Sequence, residues 1–180
     1  MACGTAPGFT LIELLVTMGV AAILCAIAIP AFNSFVLNDR DSAQINSLSM
    51  SFNYARSEAV KRNTLVGVTV CPSDNVTTCD TPAAGWAAGW IVLDLDPTDL
   101  KPVMQAVPAL AGANVLTATG GGANGISFKS TGIVTASAKI KICDIRGSAY
   151  ARDVEVNSVG GITASQNPGK DASGVALACP

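Results

Sequence analysis

The chain of 180 residues contains no histidine, the side chain used most often as a general base or as a metal ligand. Eleven Lys and Arg residues against 13 Asp and Glu residues give a net charge of −2. Acid–base chemistry would therefore depend on carboxylates, lysines or cysteines. The composition does not favour an enzyme, and we expect no catalytic residue, no resident metal and no cofactor.

The cysteines are the most reactive side chains of the sequence. Cys3 and Cys25 fall in or before an apolar N-terminal segment, and four others remain for the rest of the chain: Cys71, Cys79, Cys143 and Cys179. In an oxidising compartment four cysteines give two disulfides, with three possible connectivities. We favour one bridge across the short turn-rich loop 71–79 and one that ties the carboxy-terminal tail to a strand, from residue 143 to 179. A zinc site is the alternative, but no two cysteines have Cys-x-x-Cys spacing.

Two further patterns could bind ligands. Asp94, Asp96 and Asp99 could offer oxygen ligands to calcium, but neither the glycine nor the closing glutamate of an EF-hand follows them. We expect a solvated turn there. The glycine triplet 120–122 lacks the Lys-Ser/Thr ending of a phosphate-binding loop, so it is predicted to be a turn.

The apolar N-terminal segment dominates the sequence. Residues 14–38 contain no Lys, Arg, Asp or Glu. As a helix they cover roughly 37 Å, more than the hydrocarbon core of a bilayer requires. Glu13 directly precedes this run, and a carboxylate in lipid is tolerated only near the interface or with a partner. The segment predicts a membrane anchor in a helix over residues 9–62, bent at Pro30.

Beyond the anchor, apolar residues recur at steps of three and four, which predicts one helix face packed on a sheet: Ile45, Leu48, Phe52, Ala55 and Ala59. The opposite, polar face is expected to carry Arg40, Asp41, Gln44, Ser51, Arg56 and Glu58. Strands are predicted at 66–70, 89–93, 114–119, 126–129, 132–135, 139–143 and 152–156, and a proline-rich connector at 97–108.

The residues Gly8-Phe9-Thr10-Leu11-Ile12-Glu13 resemble the class III signal of type IV pilins and type II secretion pseudopilins. The resemblance implies that a prepilin peptidase cleaves after Gly8, that Phe9 is N-methylated, and that Glu13 supports filament assembly. Pro30 stands where many pilins kink. One departure is that residues 1–8 carry no Lys or Arg, so the positive-inside rule does not orient the helix; an upstream start codon would account for this.

Three other segments are similar to the FimT/GspH group of minor pilins: Ala-Arg-Ser-Glu-Ala at 55–59, Cys-Pro at 71–72 and Cys-Asp-x-Arg-Gly at 143–147. The resemblance implies an α+β type IV pilin fold, in which a long transmembrane helix packs on a small antiparallel head. The implied segments are a leader (1–8), the transmembrane and assembly half of the helix (9–38) and a periplasmic head (39–180). The expected protein is a minor pilin or pseudopilin of the inner membrane, incorporated into a type IV pilus or a type II secretion pseudopilus beside other pilins.

DNA binding during natural transformation is the alternative function. FimT-like pilins bind DNA through a Gly-Arg-x-Arg motif, whereas this chain has Gly-Gly-Ile-Thr at 160–163 and lacks both arginines. Phosphate contacts require cations, so this departure weakens the alternative. Four residues could still form a basic patch: Lys139, Lys141, Arg146 and Arg152.

Overall fold

A computed structural model describes residues 8–63, 67–80, 85–96 and 102–180. Its long helix α1 covers Leu11–Arg62. Eight strands follow: β1 (Val68–Pro72), β2 (Gly89–Asp94), β3 (Val103–Pro108), β4 (Val115–Gly120), β5 (Ile126–Phe128), β6 (Ala138–Cys143), β7 (Arg152–Val156) and β8 (Ile162–Ala164). One long helix followed by antiparallel strands is the predicted α+β architecture.

The chain divides into two compact units, Met1–Asp39 and Arg40–Pro180. In the first unit, every residue from 8 to 36 is exposed, although most of the side chains are apolar. Pro30 lies inside α1, where the helix continues. The second unit is the head, and it has its own hydrophobic core.

The head contains two antiparallel sheets of four strands each, in the orders β3-β2-β1-β5 and β4-β6-β7-β8. Strand β1 lies between β2 and β5, and all five of its residues are buried. The predicted apolar stripe of α1 is fully covered, with Leu48, Phe52 and Ala55 at 0% exposure. Phe52 contacts the rings of Trp86 and Phe128, with centroids 6.0 and 6.5 Å apart. The stripe therefore anchors the helix in the core of the head.

Three strand predictions require correction. Part of the expected connector is strand β3, which tolerates Pro108 because β3 is the edge strand of its sheet among the described strands. The predicted strand at 132–135 is only an isolated bridge from Val134 to Phe128. There the backbone turns at Gly132, which has a φ of +77° and donates its N–H to Lys129. Strand β8 was missed, because three residues after two glycines give no alternating pattern.

The polar face predicted for α1 is also partly wrong. Asp41, Gln44 and Ser51 are buried, with exposures of 1%, 8% and 0%. Ser51 accepts a hydrogen bond of 2.9 Å from the indole of the buried Trp90. Each of these polar side chains therefore meets a partner inside the head instead of solvent.

Candidate assembly segment and cation sites of the head

The amino-terminal end of α1 is capped by its own side chains. The N–H of Glu13 donates to Thr10 Oγ1 at 3.3 Å. Thr10 thus acts as the N-cap and Glu13 occupies the third helical position, the spacing of a capping box. A carboxylate in the first turn also interacts favourably with the helix dipole. The two residues preceding this cap, Gly8 and Phe9, are exposed, Phe9 at 79%.

The exposed half of α1 offers a continuous apolar surface. Its large side chains, including Leu15, Ile23 and Phe32, are between about half and three quarters exposed. Among the described residues, α1 is the helix that is long and apolar enough to cross a membrane, by length and composition. Such a surface requires lipid or other apolar helices as its environment.

Both expected disulfides are present in the head. One joins Cys71 to Cys79, and the other joins Cys143 to Cys179 with Cα atoms 5.9 Å apart. Cys143 ends strand β6 and Cys179 is the penultimate residue, so the second bridge fixes the tail to the sheet as predicted. The described free cysteine is Cys25, which is exposed on the apolar half of α1.

Lys139 lies among three carboxylates. Its Nζ is 2.8 Å from Asp171 and 3.7 Å from both Asp153 and Glu155. The hydrogen bond to Asp171 raises the pKa of Lys139 above its ordinary value and lowers the pKa of Asp171. Burial raises the pKa of Asp153, whose side chain is fully covered. The positive charge of Lys139 is therefore neutralised within the head.

Lys141 and Arg152 also contact acceptors of the head. Lys141 donates to the carbonyl of Ala178 in the tail, and Arg152 donates to the carbonyl of Gln166 at 3.5 Å. Neither contact neutralises the charge, but both direct the side chain along the protein surface. The structure thus places Lys139 and Lys141, two of the four residues of the predicted basic patch, against the carboxy-terminal tail.

Arg146 lies elsewhere, in a mostly buried polar cluster. Its Nε donates to Asp144 at 2.6 Å, its Nη2 to Asp41 at 3.2 Å, and its guanidinium covers the ring of Tyr150 at 4.0 Å. Asn114 donates to Asp41 at 2.8 Å and to Gln44 at 2.7 Å. We call Asp41, Gln44, Asn114, Asp144 and Arg146 the Asp41 cluster. It links the helix to the beginning of β4 and to the end of β6.

Sequence reasoning missed this cluster, although a signal was available. Asp41 precedes Ile45 by four residues, so it lies on the same helical face as the apolar stripe. Burial raises the pKa of its carboxyl, while the hydrogen bond from Asn114 acts in the opposite direction. A charged residue on an apolar stripe predicts a buried partner, which here is Arg146.

The acidic segment after β2 also differs from the prediction. Asp94 is 3% exposed and forms a salt bridge with Arg62, which also pairs with Glu58 one helical turn earlier. Asp94 is therefore no solvated turn residue, because it holds the end of α1 against the sheet. Asp99 lies outside the described residues, and within those residues no group of three His, Cys, Asp or Glu side chains could hold a metal ion.

Gly160, the glycine that aligns with the DNA-binding motif, has a packing role. Its φ is +78°, and a Cβ there would collide with the carbonyl oxygen of Gly132. Both glycines lie beside the Arg56 side chain. The residue is thus explained by close backbone approach, whether or not a ligand binds nearby.

Comparisons with known proteins agree with this geometry. Residues 44–160 match the family model described as type II transport protein GspH, and residues 6–29 match the prokaryotic N-terminal methylation motif. No curated protein matches the chain significantly.

Two crystal structures of the type IV minor pilin FimU from Pseudomonas aeruginosa have a similar fold. One has 19% identity and a TM-score of 0.54, covering 74% of this chain and 98% of the FimU chain. The other has 17% identity and a TM-score of 0.52, covering 69% and 91%. These likenesses establish the type IV pilin fold. Because the GspH model spans most of the head and more than half of the sequence, the chain belongs to the GspH family of type II transport proteins.

Proposed function

We propose that this chain is a minor pilin or pseudopilin subunit that is stored in the inner membrane and then helps to initiate a filament. The observation that carries the proposal is the uncovered apolar half of α1, which follows directly on an N-terminal methylation motif. The core of the head is built from residues of the head itself. Other apolar helices, supplied by further pilin subunits, would cover the apolar half of α1 after extraction from lipid.

The proposed maturation begins at the junction of Gly8 and Phe9. Prepilin peptidase would cleave there, release residues 1–8 and methylate the new amino terminus of Phe9. The exposure of both residues supports access by an enzyme. Residues 9–38 would then form the transmembrane and assembly segment, and residues 39–180 the periplasmic head. Two disulfides suit such an oxidising compartment.

Glu13 has a specific part in the proposed assembly step. In the single chain the backbone N–H of Glu13 donates to Thr10, and the residue itself is exposed, so its carboxylate is accessible to another subunit. In a filament, the carboxylate would meet the positive amino terminus of a neighbouring subunit. This attraction strengthens in a dry helical core, where the dielectric constant is low.

The test is incorporation of Glu13→Ala into sheared filaments from cells that contain the other subunits. We expect normal insertion and processing in the membrane but loss of the variant from filaments. Glu155→Ala, which removes a half-buried carboxylate of the head, is the control and should be incorporated normally. Normal incorporation of Glu13→Ala would refute the assembly role of this carboxylate.

DNA binding is less well supported as a second function. Of the four predicted contacts, Lys139 and Arg146 are already paired with carboxylates, and the other two are engaged by backbone carbonyls. A mobility shift at low salt with the full chain in detergent tests this alternative. A complex that weakens steeply with added salt and is lost in Lys141→Ala would support it.

A further inference from the structure

One surface of the head lies beside the first helical residues of that unit. The loop 109–113, with the sequence Ala-Leu-Ala-Gly-Ala, is uncharged and largely exposed. It is held against α1 because Gln44 donates to the carbonyl of Ala111 at 3.1 Å and the Arg40 guanidinium packs beside Gly112. An uncharged loop is thus fixed at the level of helix residues 40–44.

The turn 144–147 reaches the same level of the helix. Its apolar residue Ile145 is 77% exposed, more than any other large apolar side chain of the described head. The turn is also fixed in position. Arg146 donates hydrogen bonds to Asp144 and Asp41, and the neighbouring Cys143 is in a disulfide. The fold therefore presents Ile145 to the outside in a fixed position.

Tyr150 completes this surface. Its ring packs under the Arg146 guanidinium and remains 38% exposed. Tyrosine is enriched where membrane meets water, because its ring is apolar and its hydroxyl remains wet. We call the loop 109–113, the turn 144–147 and Tyr150 the basal surface. Two guanidiniums lie at this surface: that of Arg146 is paired with the carboxylates of the Asp41 cluster, and that of Arg40 donates to Asn114 at 3.3 Å.

The end of the uncharged segment relates the basal surface to a bilayer. Residues 14–38 carry no Lys, Arg, Asp or Glu, and the basal surface is tied to Arg40, Asp41 and Gln44, which directly follow that segment in the chain. If residues 14–38 lie in lipid, the first charged residues after them belong in the headgroup layer. The basal surface is attached to those residues.

We propose that the basal surface rests in the periplasmic headgroup layer of the membrane while the subunit is stored there, with lipid as its partner. This inference rests on the proposed membrane anchor. Lipid fits better than an acidic protein partner, because the surface offers alanines, Ile145 and Tyr150, while Arg146 is paired with carboxylates and Arg40 is bonded to Asn114. The contact would hold the head against the membrane until the helix is extracted.

Tryptophan fluorescence of the full chain in phosphatidylcholine vesicles tests the proposal. The variants are Ile145→Trp and, as a matched control, Val159→Trp, which replaces another exposed apolar residue. Val159 precedes Gly160, which packs beside Arg56. Arg56 lies about 22 Å further along the helix than Asp41, so Val159 is far from the basal surface. The native tryptophans are buried and give a constant background.

A headgroup-spin-labelled phosphatidylcholine should quench the fluorescence that Ile145→Trp adds, and should leave that of Val159→Trp at the level of the parent chain. Leu24→Trp, probed with an acyl-chain-labelled lipid, reports the anchor separately. Quenching of Leu24→Trp without quenching of Ile145→Trp would overturn the lipid contact alone. Absence of quenching at both positions would overturn the anchor and the contact together. Mass spectrometry of both disulfides verifies that each variant has folded.

Discussion

The two halves of α1 differ both in apolar content and in surroundings. Up to residue 36 all side chains are exposed, whereas from Ile45 to Ala59 one stripe is buried in the head. The buried stripe is narrow, recurs at steps of three and four, and is flanked by polar residues. The exposed half is apolar on every side. A narrow stripe is completed by a sheet of the same chain, while an all-round apolar helix requires lipid or other helices.

This difference separates folding from assembly within one element. Changes in the head half should alter the free energy of unfolding, and changes in the exposed half should alter only membrane or filament behaviour. Paired substitutions, one in each half, can test the separation.

The largest effect is expected for Phe52→Ala. Phe52 is fully buried and contacts Trp86 and Phe128, so its truncation should lower the free energy of unfolding by about 3–5 kcal/mol. Urea unfolding of the full chain in detergent, followed by tryptophan fluorescence, measures the change. Phe32→Ala removes the same ring from a residue 66% exposed and should leave head stability unchanged. Equal losses in the free energy of unfolding of both variants would mean that the exposed half of α1 also contributes to the stability of the head.

A smaller loss is expected when the helix is detached from the sheets at the Asp41 cluster. Arg146→Ala leaves the nearly buried Asp41 and Asp144 carboxylates unpaired, which should cost about 3 kcal/mol. Arg152→Ala removes an exposed hydrogen bond of 3.5 Å to the carbonyl of Gln166 and should cost less than about 1 kcal/mol. The same unfolding assay compares them. Similar small losses would indicate that the cluster contributes little to the attachment of the helix.

The sequence was most informative where a pattern involves one element. The extent of α1 was predicted to within two residues at its start, and the disulfide pairing followed from loop length and tail position. Periodicity places Asp41 on the face of the apolar stripe but could not identify its partner, because Asn114 is 73 residues away. The proposed assembly role of Glu13 is a different case, since the group that its carboxylate would meet belongs to another molecule.

Packing of the small residues of the stripe gives the next prediction. Ala55 is fully buried, so Ala55→Leu should overpack the core and lower the free energy of unfolding by about 1–3 kcal/mol. Ala22→Leu adds the same atoms to an exposed position of the other half and should not change the free energy of unfolding. Thermal unfolding of both variants in detergent checks the contrast. An unchanged midpoint in Ala55→Leu would show that the head has room beside the helix.

The smallest effect concerns pH, and it should belong to the head alone. The hydrogen bond from Lys139 lowers the pKa of Asp171 below its ordinary value of 3.8. A carboxyl group whose pKa is lowered by folding stabilises the fold at pH above 3.8, and this stabilisation is lost as the pH falls through the lower, folded-state pKa. The difference in stability between the parent chain and Asp171→Asn should therefore be constant near neutral pH and shrink toward zero in strong acid. The pKa of Asp153 shifts in the opposite direction. The pH dependence of the parent chain therefore combines both groups, whereas the difference in stability between the parent chain and Asp171→Asn isolates Asp171. Urea midpoints at successive pH values measure it, and a difference that grows on acidification would contradict the assigned role of Lys139.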